Sequence, residues 1–128
     1  MKDRAEVENL EKLVGQLQGL HSEITVLAKK APNDAINTFK LGLINKIVAS
    51  ANKVLGPNHL PFDDFAGFDA DDLPSTSDVA LVLAQYMEEA ERYRSDNVKL
   101  KTHGHWVYVV DNELSDIRSG APSKVGRK

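Results

Sequence analysis

The sequence predicts a mainly α protein, with a three-helix bundle led by a long antiparallel helical hairpin and followed by a C-terminal β-hairpin. Three observations predict this fold class. Apolar residues recur every three or four positions over most of the first 30 residues, which is typical of a helix with one apolar stripe. Two further stretches with this spacing follow, separated by breaks that contain proline and glycine. After about residue 100 the period changes to the alternation typical of β-strands.

The first helix is predicted over residues 3–30. Its stripe alternates spacings of three and four, the heptad pattern of helices that pack side by side. Gly15 and Gly19 lie four residues apart beside the stripe and predict a close helix contact. The stripe is also the predicted self-association surface. Its residues are Leu10, Leu13, Leu17, Leu20, Ile24 and Leu27.

The second helix follows a short link and is therefore predicted to pack antiparallel on the first. Pro32 ends the first helix, and Asn33 or Asp34 is expected to cap the second. Gly56 and Pro57 stop the second helix, because glycine tolerates the conformation found past a helix end and proline cannot continue a helix. These two helices form the hairpin that leads the predicted bundle.

The third helix is predicted to begin at Ser75, a good capping residue, with Asp78 close to the positive end of the helix. Its apolar stripe continues past residue 90, and we expect the helix to end between residues 95 and 101. The opposite face is rich in charged residues and is expected to be exposed to solvent. A third helix with one apolar stripe completes the predicted bundle.

The C-terminal β-hairpin is predicted from residues 106–118. β-branched and aromatic residues alternate over 106–110, Asp111 and Asn112 supply turn chemistry, and residues 114–118 return as the second strand. An isolated hairpin is marginally stable in water. We therefore expect this hairpin to lie on the helical bundle.

Composition indicates one globular domain in a reducing compartment. A chain of 128 residues fits a single domain, which we expect to span residues 1–118, with 119–128 as a flexible basic tail. The absence of cysteine excludes disulfides and cysteine nucleophiles and fits a reducing compartment. A charged start and the lack of a run of about 20 apolar residues predict a cytoplasmic protein with no membrane partner.

The connector between the second and third helices places three phenylalanines among aspartates, in a loop of about twenty residues. Its acids fit no helix-loop-helix calcium frame, although an irregular ion site of Asp69, Asp71 and Asp72 stays open. In the main interpretation the rings pin the loop to the bundle. In the alternative they stay partly exposed and bind a partner protein. The residues in question are Phe62, Phe65 and Phe68.

The sequence contains two candidate sets of metal ligands. The histidines of the His103-Gly104-His105 segment could share a metal, but zinc needs three or four ligands and nothing in the sequence places the others. Acidic pairs at spacing i, i+3 place both carboxylates on one helix face, where Mg²⁺ could bind a phosphorylated substrate. That pattern allows a metal-dependent phosphohydrolase on a helical dimer. Its ligands are the glutamates Glu8, Glu11, Glu88 and Glu91.

The β-hairpin provides a further candidate surface. Trp106 and Tyr108 lie on one strand face and are predicted to bind a partner. With the basic tail they could also make a stacking and phosphate surface for nucleic acid. Nucleic acid is nevertheless an unexpected partner, because the net charge is −3 and the nearby acids oppose the basic residues. Those basic residues are Arg118, Lys124, Arg127 and Lys128.

The three helices carry more apolar edge than one small bundle hides. The leading hypothesis is therefore a non-catalytic protein-protein interaction module that self-associates, as a dimer, through its first two helices. It is expected to need no cofactor and to bind a further, unidentified protein. The alternatives left open are the metal-dependent phosphohydrolase and a nucleic-acid accessory protein that uses the C-terminal hairpin and tail.

Overall fold

The computed structural model describes residues 1–102 and 104–124. Within them, the predicted mainly α fold with a C-terminal β-hairpin is confirmed, and a short 3₁₀ turn at Ala70–Asp72 lies in the long loop. The three strands form one antiparallel sheet in the order β1-β2-β3. The elements are α1 (Arg4–Lys30), α2 (Thr38–Leu55), α3 (Thr76–Asp96), β1 (Val98–Leu100), β2 (Trp106–Val110) and β3 (Glu113–Arg118).

The leucine stripe of α1 lies in the hydrophobic core of the chain. It packs mainly against α3 and less extensively against α2. Leu20 and Leu27 are half-buried at its edge. Four residues of the predicted self-association surface are covered by the chain's own helices and sheet. The fully buried residues are Leu10, Leu13, Leu17 and Ile24.

The prediction of a close helix contact at Gly15 and Gly19 is wrong. Both residues are exposed, and a Cβ added to either would meet no atom within 4 Å. The two positions lie on the solvent side of α1, while large side chains such as Leu17 make the helix contacts. Spacing alone could not distinguish these two sides of the stripe.

The cap of α2 also differs from the prediction. Asn37, and not Asn33 or Asp34, accepts the hydrogen bond of the first helical turn. Residues 34–36 instead pair with residues 74–76 through two backbone hydrogen bonds and an isolated antiparallel bridge. This pairing keeps the link extended, so α2 begins three to four residues later than its first capping candidates allow. The link thereby ties the start of α3 to the α1–α2 connection.

The start of α3 and the turn of the β-hairpin match the sequence. Ser75 Oγ accepts the Asp78 N–H at 3.2 Å, which confirms the predicted cap. Asp111 and Asn112 have φ of 52° and 63°, as a two-residue hairpin turn of the I′ type requires. The sequence did not predict β1. Its three residues follow α3 almost directly, and the Val109 N–H donates to the Asn97 carbonyl at the junction.

Residues 119–124, the C-terminal strap, lie along α3, although we predicted a flexible tail from 119 onwards. Arg94 anchors the strap by donating to the Ser119 hydroxyl at 2.6 Å and to the carbonyls of Gly120 and Ala121 at 2.8 Å each. Arginine presents several donors in a fixed fork, which explains how one side chain holds three successive residues. The remainder of the predicted tail, 125–128, lies outside the described residues.

Candidate functional site

The phenylalanine loop is held against α2 by two asparagines that lie seven positions apart. Asn45 Nδ2 donates to the Phe68 carbonyl, and Asn45 Oδ1 accepts the Phe68 N–H, both at 2.8 Å. Asn52 Nδ2 donates to the Phe65 carbonyl at 2.9 Å. Positions i and i+7 share one helix face, so the two side-chain amides satisfy loop backbone groups that would otherwise need a strand partner.

The three phenylalanine rings pack in series, and the first two lie against Tyr86 of α3. The centroids of Phe62 and Phe65 are 5.9 Å apart, and those of Phe65 and Phe68 are 5.0 Å apart, both edge to face. Phe62 also meets the buried ring of Tyr86 at 6.2 Å. All three are half-buried against the core. The rings therefore anchor the loop, and only part of each ring remains open to a partner.

Tyr86 ties this anchor to the core. Its hydroxyl donates to Asn52 Oδ1 at 2.6 Å. Burial raises the pKa of Tyr86, and the Asn52 hydrogen bond offsets part of that rise. The phenol therefore stays neutral and keeps its donor hydrogen, which continues the chain of hydrogen bonds from α3 through Asn52 to the loop.

The two aromatic residues of β2 have different environments. Tyr108 is fully buried, and its hydroxyl donates to Glu11 Oε1 at 2.5 Å. Burial and, after it, the Glu11 hydrogen bond raise the pKa of Tyr108. Trp106 is half-buried against the core cluster. We predicted both as partner-binding residues, but Tyr108 lies inside because its strand face covers the bundle, so the pair does not form an open stacking surface.

The glutamates considered as metal ligands have partners within the chain. Glu8 pairs with Arg4 at 3.6 Å, and Glu11 accepts from Tyr108. Glu88 contacts both Arg92 and Lys124, at 3.2 and 3.1 Å. In the part of the chain that the structure describes, no group of three His, Asp or Glu is placed to hold a metal ion, and His103 lies outside that part. The structure does not bring the four glutamates together as a ligand set.

Glu91 accepts more hydrogen bonds from the described residues than the other three glutamates do. It accepts from Arg94 Nη2 at 2.7 Å and from the Ser123 hydroxyl at 2.5 Å. Partial burial by itself raises a carboxyl pKa, but the hydrogen bonds from Arg94 and Ser123 outweigh it and lower the pKa of Glu91 to about 2. At neutral pH Glu91 is an anion that joins α3 to the C-terminal strap.

A cleft of about 450 Å³ lies between α1 and α2. We call it the lysine cleft, because Lys12 of α1 and Lys46 and Lys53 of α2 line it. All three lysines are exposed. Among the described residues, none of these three ammonium groups lies within 4.0 Å of an acid. The lining, with three lysines and the single acid Glu6, is therefore net positive on a chain whose net charge is −3.

The walls of the lysine cleft are mixed in character. Ile47 and Val54 are half-buried and apolar, and Tyr93 of α3 also lines the cleft. The Tyr93 ring stacks on His59, with centroids 4.7 Å apart. Burial and then the charge of Glu6 raise the pKa of Tyr93, which keeps its phenol neutral. The cleft thus offers apolar walls and polar donors beside its cations.

Three large apolar side chains of the helical hairpin face solvent. Phe39 and Leu43 lie one turn apart on α2 and are 76% and 42% exposed, and Val26 of α1 is 53% exposed. Lys40 of α2 reaches Glu23 of α1 at 3.5 Å, one turn from Val26. We call Val26, Phe39 and Leu43 the outer apolar face.

Sequence reasoning missed the lysine cleft, the asparagine clamp and the outer apolar face. Mid-helix asparagines disfavour the helix unless their side chains have partners, so Asn45 and Asn52 were a usable signal. The second helix also contains three lysines and no acid, which is unusual for a solvated helix. Predicting that Phe39 and Leu43 are exposed required knowing how α2 packs against α1 and α3. Periodicity does not specify that packing.

In comparisons with protein-family models, with curated proteins and with solved structures, nothing matches this chain. Within residues 1–102 and 104–124, no helix combines the length and the apolarity needed to cross a bilayer. We therefore infer function from the surfaces described above.

Proposed function

We propose that the chain is a non-catalytic protein-protein interaction module that self-associates as a dimer through its first two helices. The observation that carries this proposal is the outer apolar face, where Phe39 is 76% exposed on a regular helix. Large apolar side chains clustered on one surface are typical of interaction sites. The contact is made by the outside of the helical hairpin, because the heptad stripe lies in the core.

The charges around the outer apolar face favour a second copy as its partner. Glu23 of α1 has a 62% exposed side chain, and its partner Lys40 of α2 is 36% exposed. A two-fold dimer brings each surface patch against itself, so a patch with both signs can pair its acid with the base of the other copy. Gly42 is exposed between Phe39 and Leu43, and a Cβ there would meet no atom within 4 Å. A second helix can therefore approach closely at this point.

The expected dimer is of moderate affinity. Full burial of a Phe or Leu side chain stabilises by roughly 1.5–3 kcal/mol, and a symmetric contact buries Phe39 and Leu43 in both copies. Loss of rigid-body freedom opposes that gain by an amount of similar size. We therefore expect a dimer that dissociates within a wide dilution series.

Dilution experiments on single substitutions test the proposal. Leu43→Gln and Phe39→Gln are expected to shift the monomer-dimer equilibrium toward monomer by about tenfold or more, since each removes apolar area from both halves of the contact. Leu81→Gln is the matched control, because Leu81 is a 63% exposed leucine on α3, away from the hairpin. An equal effect of Leu81→Gln, or no effect of either hairpin substitution, contradicts the proposal.

The proposal extends to a second protein and to a compartment. The open edges of Phe62, Phe65 and Phe68, next to the exposed Asp63 and Asp64, form the surface proposed for a partner with basic and apolar residues. Trp106, half-buried on β2, remains a further candidate contact. The absence of cysteine from the sequence supports, as a proposal, a cytoplasmic site of action.

A further inference from the structure

We propose that the lysine cleft is a binding site for small organic phosphates, in which the phosphate is held by the three ammonium groups and the organic body lies against the apolar walls. This site is separate from the outer apolar face. Phe39 and Lys46, the cleft lysine nearest to it in sequence, lie seven positions apart on α2, which is about 10 Å along a helix. The proposal does not depend on self-association.

Charge is the first reason for this assignment. Lys46 and Lys53 are seven positions apart and share one face of α2, while Lys12 lies across the cleft on α1. The three ammonium groups repel one another, and an anion bound between them would offset that repulsion. Glu6 is the one acid among the lining residues, and its carboxylate already accepts the Lys2 backbone N–H at 2.7 Å. The cleft therefore has an excess of cations that a dianion would balance.

Size and wall chemistry are the second reason. A volume of about 450 Å³ falls within the roughly 300–1,000 Å³ of small-molecule sites. Ile47 and Val54 offer an apolar surface, and the neutral phenol of Tyr93 offers a ring and a hydrogen-bond donor. Amide and hydroxyl groups complete the lining and can recognise hydroxyls or ring nitrogens of the ligand. They belong to Asn9, Gln16 and Ser50.

The type of cation favours a compact phosphate. Ammonium groups act as point charges that can surround an anion, whereas flat bidentate recognition of a carboxylate is the role of arginine. The cleft contains three lysines and no arginine. A phosphate monoester carries a charge of about −1.5 to −2 at neutral pH and has three acceptor oxygens, so it can contact all three lysines. Nucleic acid needs a longer basic surface, and the far end of α2 is apolar at Phe39.

The test is a titration of the intact chain followed by backbone amide NMR shifts, with adenosine monophosphate, glycerol 3-phosphate and inorganic phosphate as probes. Adenosine, without phosphate, and an acidic hexapeptide are the comparison ligands. We expect saturable shifts confined to residues of α1, α2 and Tyr93 around the cleft, with either organic phosphate bound more tightly than inorganic phosphate. Added salt is expected to weaken binding, because exposed charges are screened.

Two sets of substitutions with equal change in charge give the control. The triple variant Lys12→Gln, Lys46→Gln, Lys53→Gln is expected to bind about tenfold or more weakly, since it removes every ion pair that the lysines make with the phosphate. The control variant replaces three exposed lysines outside the cleft, which also lie beyond 4.0 Å of any described acid, and is expected to retain affinity within about twofold. Its substitutions are Lys29→Gln, Lys30→Gln and Lys99→Gln.

Replacing Glu6, the acid that lines the cleft, is expected to change phosphate affinity in the opposite direction. Glu6→Gln is expected to strengthen phosphate binding about twofold or more, because it removes the repulsion of a nearby negative charge. The proposal is overturned if no organic phosphate gives saturable shifts, if both triple variants lose affinity equally, or if the acidic peptide binds the cleft more tightly than either organic phosphate. Phe39→Gln should leave phosphate affinity unchanged, so failure of self-association and failure of this site are separable.

Discussion

The Tyr108 hydroxyl lies 2.5 Å from Glu11 Oε1 and joins the β-sheet to the first helix across 97 positions of sequence. Tyr108 is fully buried, whereas its acceptor reaches solvent. The hydrogen bond is therefore charge-assisted and lies at the edge of the core. It is one of the polar contacts that join the C-terminal hairpin to the helical bundle.

Tyr108→Phe tests that link. The substitution keeps the ring in the core and removes one hydrogen bond, so the free energy of unfolding is expected to fall by about 1–2 kcal/mol. Urea denaturation at neutral pH measures the change. Glu11→Gln is the matched control, because the amide oxygen can still accept the bond and a smaller loss is expected. Equal stability of Tyr108→Phe and the parent chain would show that the bond contributes nothing.

Asn45→Ala is expected to release the phenylalanine loop. The substitution removes two hydrogen bonds and leaves the Phe68 N–H and carbonyl without those partners, at a cost of about 1–3 kcal/mol. Faster hydrogen exchange at the Phe68 amide would report the release directly. Asn9→Ala, at an exposed helical position, is the control and should be neutral or slightly stabilising because alanine favours the helix. Unchanged exchange at Phe68 would contradict the clamp.

Glycine substitutions should have opposite effects at two places. Gly67 has φ of +150°, and an added Cβ would lie 3.0 Å from Asn45 Oδ1, so Gly67→Ala is expected to destabilise by about 1–3 kcal/mol. Gly15→Ala and Gly19→Ala are expected to stabilise α1 by about 0.5–1 kcal/mol each, because both sites are open and helical. Thermal or urea unfolding measures the change in stability of the three variants. Destabilisation at Gly15 or Gly19 would show that a partner packs there.

Acid should release the C-terminal strap through Glu91. The pKa of Glu91 is lowered from 4.5 to about 2 in the folded chain, so its contribution is complete above about pH 4.5 and is lost as the pH falls toward 2. The difference in stability between the parent chain and Glu91→Gln should therefore shrink over that interval. Urea midpoints from pH 7 to pH 2 measure it. A difference that stays constant with pH would contradict the assigned interaction.

Divalent metal is expected to leave the melting temperature unchanged. Glu88 and Glu91 are engaged with Lys124, Arg94 and neighbouring groups, so Mg²⁺ would have to displace those contacts. A specific site that bound only the folded chain would stabilise it by mass action. Thermal unfolding with millimolar Mg²⁺ or Mn²⁺, against a chelator control, is the measurement. A saturable rise would revive the phosphohydrolase alternative.

Features that depend on neighbouring residues in sequence were predictable. The cap at Ser75 and the turn at Asp111 and Asn112 follow from local hydrogen bonding and backbone preference, and the structure has both. The extent of α1 followed from its periodicity, since only Asp3 changed from helix to cap.

Features that depend on distant partners were not predictable in the same way. The cap of α2 moved to Asn37 because the link pairs with residues 74–76. β1 has three residues, too few to show a period. An apolar stripe has the same spacing whether it packs within one chain or between two, so Leu10 and Leu17 could not be assigned to core or interface from periodicity.

The central claim is self-association through the outer apolar face, and mass in solution tests it most directly. Light scattering behind a sizing column, over a wide dilution series, should give a dimer that dissociates on dilution and a Leu43→Gln variant that is monomeric where Leu81→Gln is not. A chain that stays monomeric at every concentration, or a dimer that neither Phe39→Gln nor Leu43→Gln weakens, would contradict the account.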